Sequence, residues 1–441
     1  MKTKIQHLLH QLRASFWAIP SFSVALAILT GSLLVWLDHR ASDGIASRFP
    51  WFAGISPEGT TAFLGTIASS VLALAGVTFS GTLVALTLAS SQFGPRLLRN
   101  FIQANITQTT LGILLATYVY CLIVIRNVHG SEVQFVPHLA TLFGFLLSLL
   151  SLGFFIAFIQ HVVGSIQAER VVADVYRELC QSIDRFFGRE GGADEREEEE
   201  RRDEKQEWED LNHEETLDSV RSGYLQAIDI EGIVTLASER DIHCRILAKP
   251  GMFIVPGGSL LAWNVSSPLE DEDRASFQNC FLIGSCRTAE QDFEYSVRQL
   301  VEIALRALSP GINDPFTAIN CIDYLGGALV KVAGKKLPKD EFSDDEGVAR
   351  VRIRPDTFSS FLEAACNQIR QGSPDKPEVS IRMLEMLTEV GRQCRLKTQL
   401  EAVLHQGDLV GTVARANATT KADEEAIAER HAALMKLGDE P

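Results

Sequence analysis

The 441-residue sequence predicts a membrane protein with an N-terminal four-helix transmembrane bundle and a C-terminal α+β cytosolic region, in which a small β-barrel-like domain precedes a helical domain. Three observations predict it. No Asp, Glu, Lys or Arg occurs from Ala14 to Leu37, from Gly59 to Pro95 or from Val133 to Ala168. At ~1.5 Å per helical residue, each stretch is long enough to cross a hydrocarbon core ~30 Å thick. Residues 1–168 hold eight Lys and Arg against four acids, a net of +4, so the remainder of a chain whose net charge is −15 carries −19. Beyond residue 222, short alternating runs and then helical periods replace the long apolar ones.

The first expected span, about residues 16–37, has Trp17 and Trp36 near its ends, as interfacial aromatics often lie. Its apolar run exceeds the ~7–15 residues of a signal-peptide core and no A-x-A site follows, so it reads as an uncleaved span. The second, about 62–90, carries Gly65, Ser69, Ala73, Gly76, Ser80, Thr87 and Ser91, mostly three or four residues apart. Lipid tails are as apolar as leucine, so helices in a bilayer associate by close packing across such small side chains. The stripe therefore predicts a helix facing other helices, either inside one bundle or around a polar pore to which Ser90, Ser91 and Gln92 would contribute. Arg96 and Arg99 follow Pro95 and fit contact with anionic headgroups or, in an oligomer, a ring of arginines at the mouth of a passage. Spans three and four are expected near 111–128 and 139–163. Four crossings put both termini on one side, and Lys2, Lys4, Arg13, Arg96, Arg99 and Arg170 against Arg40, Arg48 and Arg126 make that side cytoplasmic. Arg126 and His161 lie near span ends, within snorkelling reach of an interface. The lack of a carboxylate inside the spans argues against an ion-coupled transporter.

Residues 166–220 read as a juxtamembrane helix, with Val172, Val175, Leu179 and Ile183 on one face, followed by an acidic linker holding eleven acids and four bases between Asp194 and Asp210. Residues 221–287 read as a small barrel or sandwich, because Ile242, Cys244, Ile246 and Ala248 alternate with outward positions and Pro250-Gly251 and Pro256-Gly257-Gly258 mark turns. The segment PGMFIVPGGSLLAW is similar to hairpins of lipoyl- and biotinyl-carrying barrels but has no lysine, so no cofactor is expected. Residues 288–415 read as helical. Thr288-x-x-Gln291 predicts a capping box, Asn313 and Asp314 a corner with Pro315 opening the next helix, and Arg298, Glu302 and Arg306 a salt-bridge ladder. Arg287, Gln291 and Asp292 at one end of the first of these helices, with Asn313 and Asp314 at the other, form a candidate interface or ligand set only if another segment or subunit joins them. Residues 416–441 read as a polar, frayed tail.

The eight cysteines include no C-x-x-C, and no Walker A, H-E-x-x-H, G-x-S-x-G or G-x-G-x-x-G motif occurs. An enzyme and a metal site are therefore not expected, and the acidity of the second part argues against nucleic acid. The stretches at 78–100, 222–232 and 284–318, the last containing SPGINDP, resemble a bacterial family of predicted membrane proteins containing a domain of unknown function. The resemblance runs from the first span to about residue 410. It implies an inner-membrane protein with an N-terminal bundle and a cytosolic C-terminal portion, and no activity. From the residues, the leading expectation is a homo-oligomeric channel or transport-related protein in the lipid bilayer whose cytosolic part regulates or assembles it. The alternative is a non-conducting sensor or scaffold that binds a protein or small ligand.

Overall fold

The computed structural model describes residues 17–40, 56–93, 105–128, 135–165, 167–187, 214–264, 269–292, 294–335, 340–354 and 356–439. The chain divides into two compact units, Met1–Arg170 and Val171–Pro441.

Four apolar helices build the first unit: α1 (Ala18–Arg40), α2 (Pro57–Phe93), α3 (Asn105–Arg126) and α4 (His138–Ser165). All four are long and apolar enough to cross a membrane. Helix α2 packs into this bundle, but α3 is the hub, in contact with α1, α2 and α4. Its apolar window is 56% buried, against 17–22% for the other three. Small residues do permit close approach, but on the other helices. Gly112 of α3 lies against Pro20 and Ser23 of α1, Gly31 of α1 against Tyr120 and Ile123, and Gly144 of α4 against Leu64 and Tyr120.

Polar bonds run along the α3–α4 seam. Thr110 donates to the Phe154 carbonyl at 3.3 Å, the Thr117 and Ser151 hydroxyls lie 2.8 Å apart, and Tyr120 donates to the Ala140 carbonyl at 2.8 Å. The head of α4 is held by Asp38, in the last turn of α1, whose carboxylate accepts from the Leu139 and Ala140 N–H groups at 3.1 and 2.9 Å. The first N–H groups of a helix have no partner within it and form its positive end, so a carboxylate there satisfies both demands. His39 stacks on Phe135 at 3.8 Å and holds the same corner.

The second unit opens with α5 (Ala168–Phe186), which straddles the boundary between units. Val172, Val175, Leu179 and Ile183 are buried along one face, as the periodicity predicts. Strands and helices then alternate: β1 (Glu214–Asp218), β2 (Gly223–Ile228), α6 (Ile230–Glu239), β3 (Cys244–Ile246), β4 (Phe253–Ile254), β5 (Ser259–Asn264), α7 (Asp271–Asn279) and β6 (Phe281–Gly284). There follow α8 (Glu294–Ala307), α9 (Pro315–Ala333), β7 (Glu341–Ser343), β8 (Ala349–Arg352), α10 (Phe358–Gly372), α11 (Pro377–Gln393), α12 (Lys397–Asn417) and α13 (Lys421–Met435).

The strands form two sheets, ordered β1-β5-β3-β8-β7 and β4-β2-β6, rather than one barrel. The β3–β8 pair is parallel and the other ladders are antiparallel. Ile242, Cys244, Ile246 and Ala248 are buried as their alternation predicts, in a core with Leu225, Phe277 and Trp263. The β-rich region is wider than 221–287. It takes β1 from the expected linker and β7–β8 from the expected helical region, because β3 has room beside it for a strand from residues 349–352. The expected tail is also corrected. Residues 421–435 form α13, with Thr420 accepting from the Asp423 N–H at its start and Ile427, His431 and Leu434 buried against α11 and α12.

Two predictions follow from these contacts. Asp38→Ala strands two N–H groups away from water and is expected to destabilise the solubilised protein by ~1–3 kcal/mol, with Asp38→Asn between it and wild type, as read from denaturant unfolding. In the second unit, Arg350 joins the β7–β8 turn to the end of α6 through Asp344 and Asp241, at 2.7 Å each. Its guanidinium, aided by the Val348 N–H and Ser238 hydroxyl, holds the Asp344 carboxyl down at about 2 from an ordinary 3.8. A carboxylate with a depressed folded pKa contributes stability that is whole above its unfolded pKa and is lost as pH falls through the folded one. The gap in denaturation midpoint between wild type and Asp344→Asn is therefore expected to be constant near neutrality and to shrink as pH falls from 3.8 towards about 2.

Candidate functional site

The α2 stripe points away from the bundle. The face of α2 that packs inward is Leu64, Ala68, Val71, Ala75, Thr78 and Ala85. Ser69, Ala73, Gly76, Ser80 and Thr87 are exposed and Gly65 is half-buried. A Cβ placed on Gly65 or Gly76 would meet nothing within 4 Å. Ser69 and Thr87 donate to the carbonyls of Thr66 and Leu83 at 3.0 and 2.9 Å, so these donors are satisfied within the helix. Ser91 and Gln92 fall in the last turn of α2, with their side chains outside the described residues, where Arg96 and Arg99 also lie.

In the second unit, Arg287, Gln291 and Asp292 meet on the β2 side of the sheet. The expected capping box is absent because α8 begins at Glu294, later than Thr288 requires. Gln291 instead extends the β2 ladder, its amide accepting from the Ile228 N–H at 2.8 Å and donating to the Ile228 carbonyl at 3.1 Å. Gln226 reaches back from β2 to the Cys286 carbonyl at 2.7 Å. Arg287 donates through Nε to Asp292 at 2.6 Å, with the Asp292 side chain 1% exposed. Beside this pair Lys249 contacts Glu294 at 3.2 Å and also Asp356, and Arg298 reaches Glu294 at 2.8 Å. Arg298 thus pairs one turn back with Glu294.

Burial pushes the Asp292 and Asp356 carboxyls up from the ordinary range, against the opposing pull of Arg287 and Lys249. Burial acts the same way on Glu294, but Arg298 and Lys249 together outweigh it and hold its carboxyl down. Three bases against three acids make a charge-balanced joint between the 249–251 turn, the start of α8 and the approach to α10. Among the described residues no cluster of His, Cys, Asp and Glu is arranged to hold a metal ion.

The Asn313-Asp314 corner is built as the sequence predicts. Asn313 has a positive φ of 51°, and Asp314 accepts from the Thr317 N–H and hydroxyl at 3.1 and 2.6 Å. Lys376 donates to the Asn313 amide oxygen at 2.5 Å. The length of α8, ~20 Å for its turns, separates this corner from Arg287, so the structure does not bring the two halves of the candidate set together within one chain. What the corner presents outward is apolar: Phe316 is 82% exposed and Ile312 45%.

Sequence reasoning missed Asp38 and the Lys249–Glu294–Asp356 contacts. Asp38 had a signal, an acid at the very end of an apolar run. The second set joins positions 45 and 107 residues apart and leaves no local trace.

The joint explains one glycine. Gly251 has φ +88°, and a Cβ there would run into the Asp292 carboxylate and lie 2.7 Å from an Arg287 nitrogen. Gly257 has a similar φ of +81° but open space around it. Gly257→Ala is expected to cost only the backbone strain, ~1 kcal/mol, and Gly251→Ala at least twice that, measured by denaturant unfolding of the two variants.

A family described as predicted membrane proteins, DUF2254, matches residues 13–389. An uncharacterised protein of Mycobacterium bovis and one of Mycobacterium tuberculosis are each 27% identical over 454 residues, covering 100% of this chain and 84% of each relative. No solved structure matches the chain. With most of its length matched, the chain belongs to the DUF2254 family of predicted membrane proteins.

Proposed function

We propose that the protein is a homo-oligomeric, channel-like protein of the bacterial inner membrane, with four spans, both termini cytoplasmic, and a second unit that assembles or gates the oligomer. The single observation that carries this reading is the direction of the α2 stripe. A helix whose small and hydroxyl side chains face away from its own bundle, with open space beside Gly65 and Gly76, is suited to close packing against copies of itself. The bilayer and further copies of the chain are the partners this requires. The acidity of the second unit favours no nucleic acid, and the reading needs no cofactor and no catalysis.

Oxidation of Ala73→Cys protein in membranes is expected to give cross-linked dimers, whereas Leu29→Cys, on the exposed face of α1, gives none beyond the wild-type background. Liposomes containing the assembled protein are expected to pass ions, and bulky modification of Ala73→Cys to reduce that flux several-fold. A monomer without cross-links, or an oligomer that stays silent, removes the proposal. A second reading, a non-conducting sensor or scaffold, is favoured by the corner that holds Ile312 and Phe316 outward. An oligomer that cross-links but does not conduct would turn the assignment to it.

A further inference from the structure

The three-stranded sheet β4-β2-β6 covers the core with one face only. Leu225, Ile228, Ile254 and Phe281 point inward. On the other face Tyr224 stands opposite both Phe253 and Gly284, and Ala227 opposite Leu282. The Tyr224 and Phe253 rings meet edge to face at 5.1 Å. The turn between β4 and β5, which links this sheet to the five-stranded one, adds the exposed Val255. Gly257 donates to the Ser219 carbonyl and Ser219 to the Gly258 carbonyl, each at 2.8 Å, which sets Val220 beside the turn. Val220, Met252, Phe253, Val255 and Leu282 are each about half exposed or more. The sequence from Pro250 to Leu269 contains no charged residue, within a part of the chain that carries −19.

We propose that this turn and sheet face are a lipid-contacting surface of the second unit. Three observations select lipid over a second copy or a peptide. The edge strand β4 is two residues long and flanked by Pro250 and Pro256, so it is blunted against the strand addition by which another chain would cover such a sheet. Val220, Met252 and Val255 lie in the turns around β4, and Phe253 and Leu282 on the adjoining strands, each about half exposed or more, an apolar cluster that suits insertion into a fluid interface. The exposed charge beside Val220 is Arg221, of the sign that anionic headgroups attract. Because α5 follows α4 after two residues, the second unit is tethered to whatever holds α4, and a contact weak in free solution is populated at the effective concentration the tether sets. The contact requires only that α1–α4 lie in a bilayer and is independent of any oligomer or passage.

The full-length protein is assembled into nanodiscs of phosphatidylethanolamine and phosphatidylglycerol, with benzoylphenylalanine replacing Phe253, Met252 or, as a control, Glu401 on the exposed side of α12. All three positions are solvent-exposed, and wild-type unfolding behaviour is the check that the fold is retained. Irradiation is expected to give at least tenfold more lipid adduct at 252 and 253 than at 401. Lipid adduct equal to that at 401, no adduct, or a cross-link to a second protein chain instead would overturn the proposal.

Discussion

The bond on which the first unit depends joins the end of its first helix to the head of its fourth. At a buried helix start no water reaches the leading N–H groups, so each must find an acceptor inside the protein. Asp38 supplies two acceptors at once, to Leu139 and Ala140, and Tyr120 takes the Ala140 carbonyl beside them. One buried corner therefore ties α1, α3 and α4 together, and the Thr117–Ser151 and Thr110–Phe154 contacts continue the same seam down the bundle. Dispersion between apolar side chains has no preferred register. These bonds do, which is how α3, rather than the longer α2, becomes the centre of the unit.

Much of the architecture was legible in the chain because it is written in local patterns. The charge-free runs gave the apolar helices to within a few residues, the alternation at Ile242–Ala248 gave β3 and its flanks, and Asp314-Pro315 gave the start of α9. What was not legible depends on contacts distant in sequence. The small stripe of α2 tells that something packs closely there, but only the positions of Leu64 and Ala68 opposite α3 and α4 decide that it is the other face that turns inward. Thr288 and Gln291 have the spacing of a capping box, yet Gln291 is drawn to the free backbone of Ile228, and a sheet edge outcompetes a helix start. The polar composition of residues 416–441 likewise hides two apolar side chains, Ile427 and Leu434, buried with His431 between them against α11 and α12.

The second unit also contains an apolar helix that length and composition alone would assign to a membrane. Helix α9 has a mean hydropathy of 1.2 and is half buried. Cys321, Ile322, Leu325, Ala328 and Leu329 face α8 and α11. On its other side Tyr324 meets Tyr176 of α5 at 4.8 Å, and Lys331 bonds Asp184 at 2.7 Å. A protein core and a bilayer ask for the same side chains, and here the partners are the protein's own helices. The segment that leaves α4 is thus fastened to the centre of the second unit rather than hanging from it.

The parallel pairing of β3 with β8 has a consequence for dissecting the molecule. Two helices, α8 and α9, are spliced between strands of one sheet, so the β-rich and helical parts share a single chain path and no cut at residue 287 separates them. A fragment ending there keeps β3 with one flank bare and its apolar residues open to solvent, and a fragment starting there carries β7 and β8 with no sheet to join. The smallest excisable piece runs from α5 to α13, and shorter expression products are aggregation-prone halves of one object.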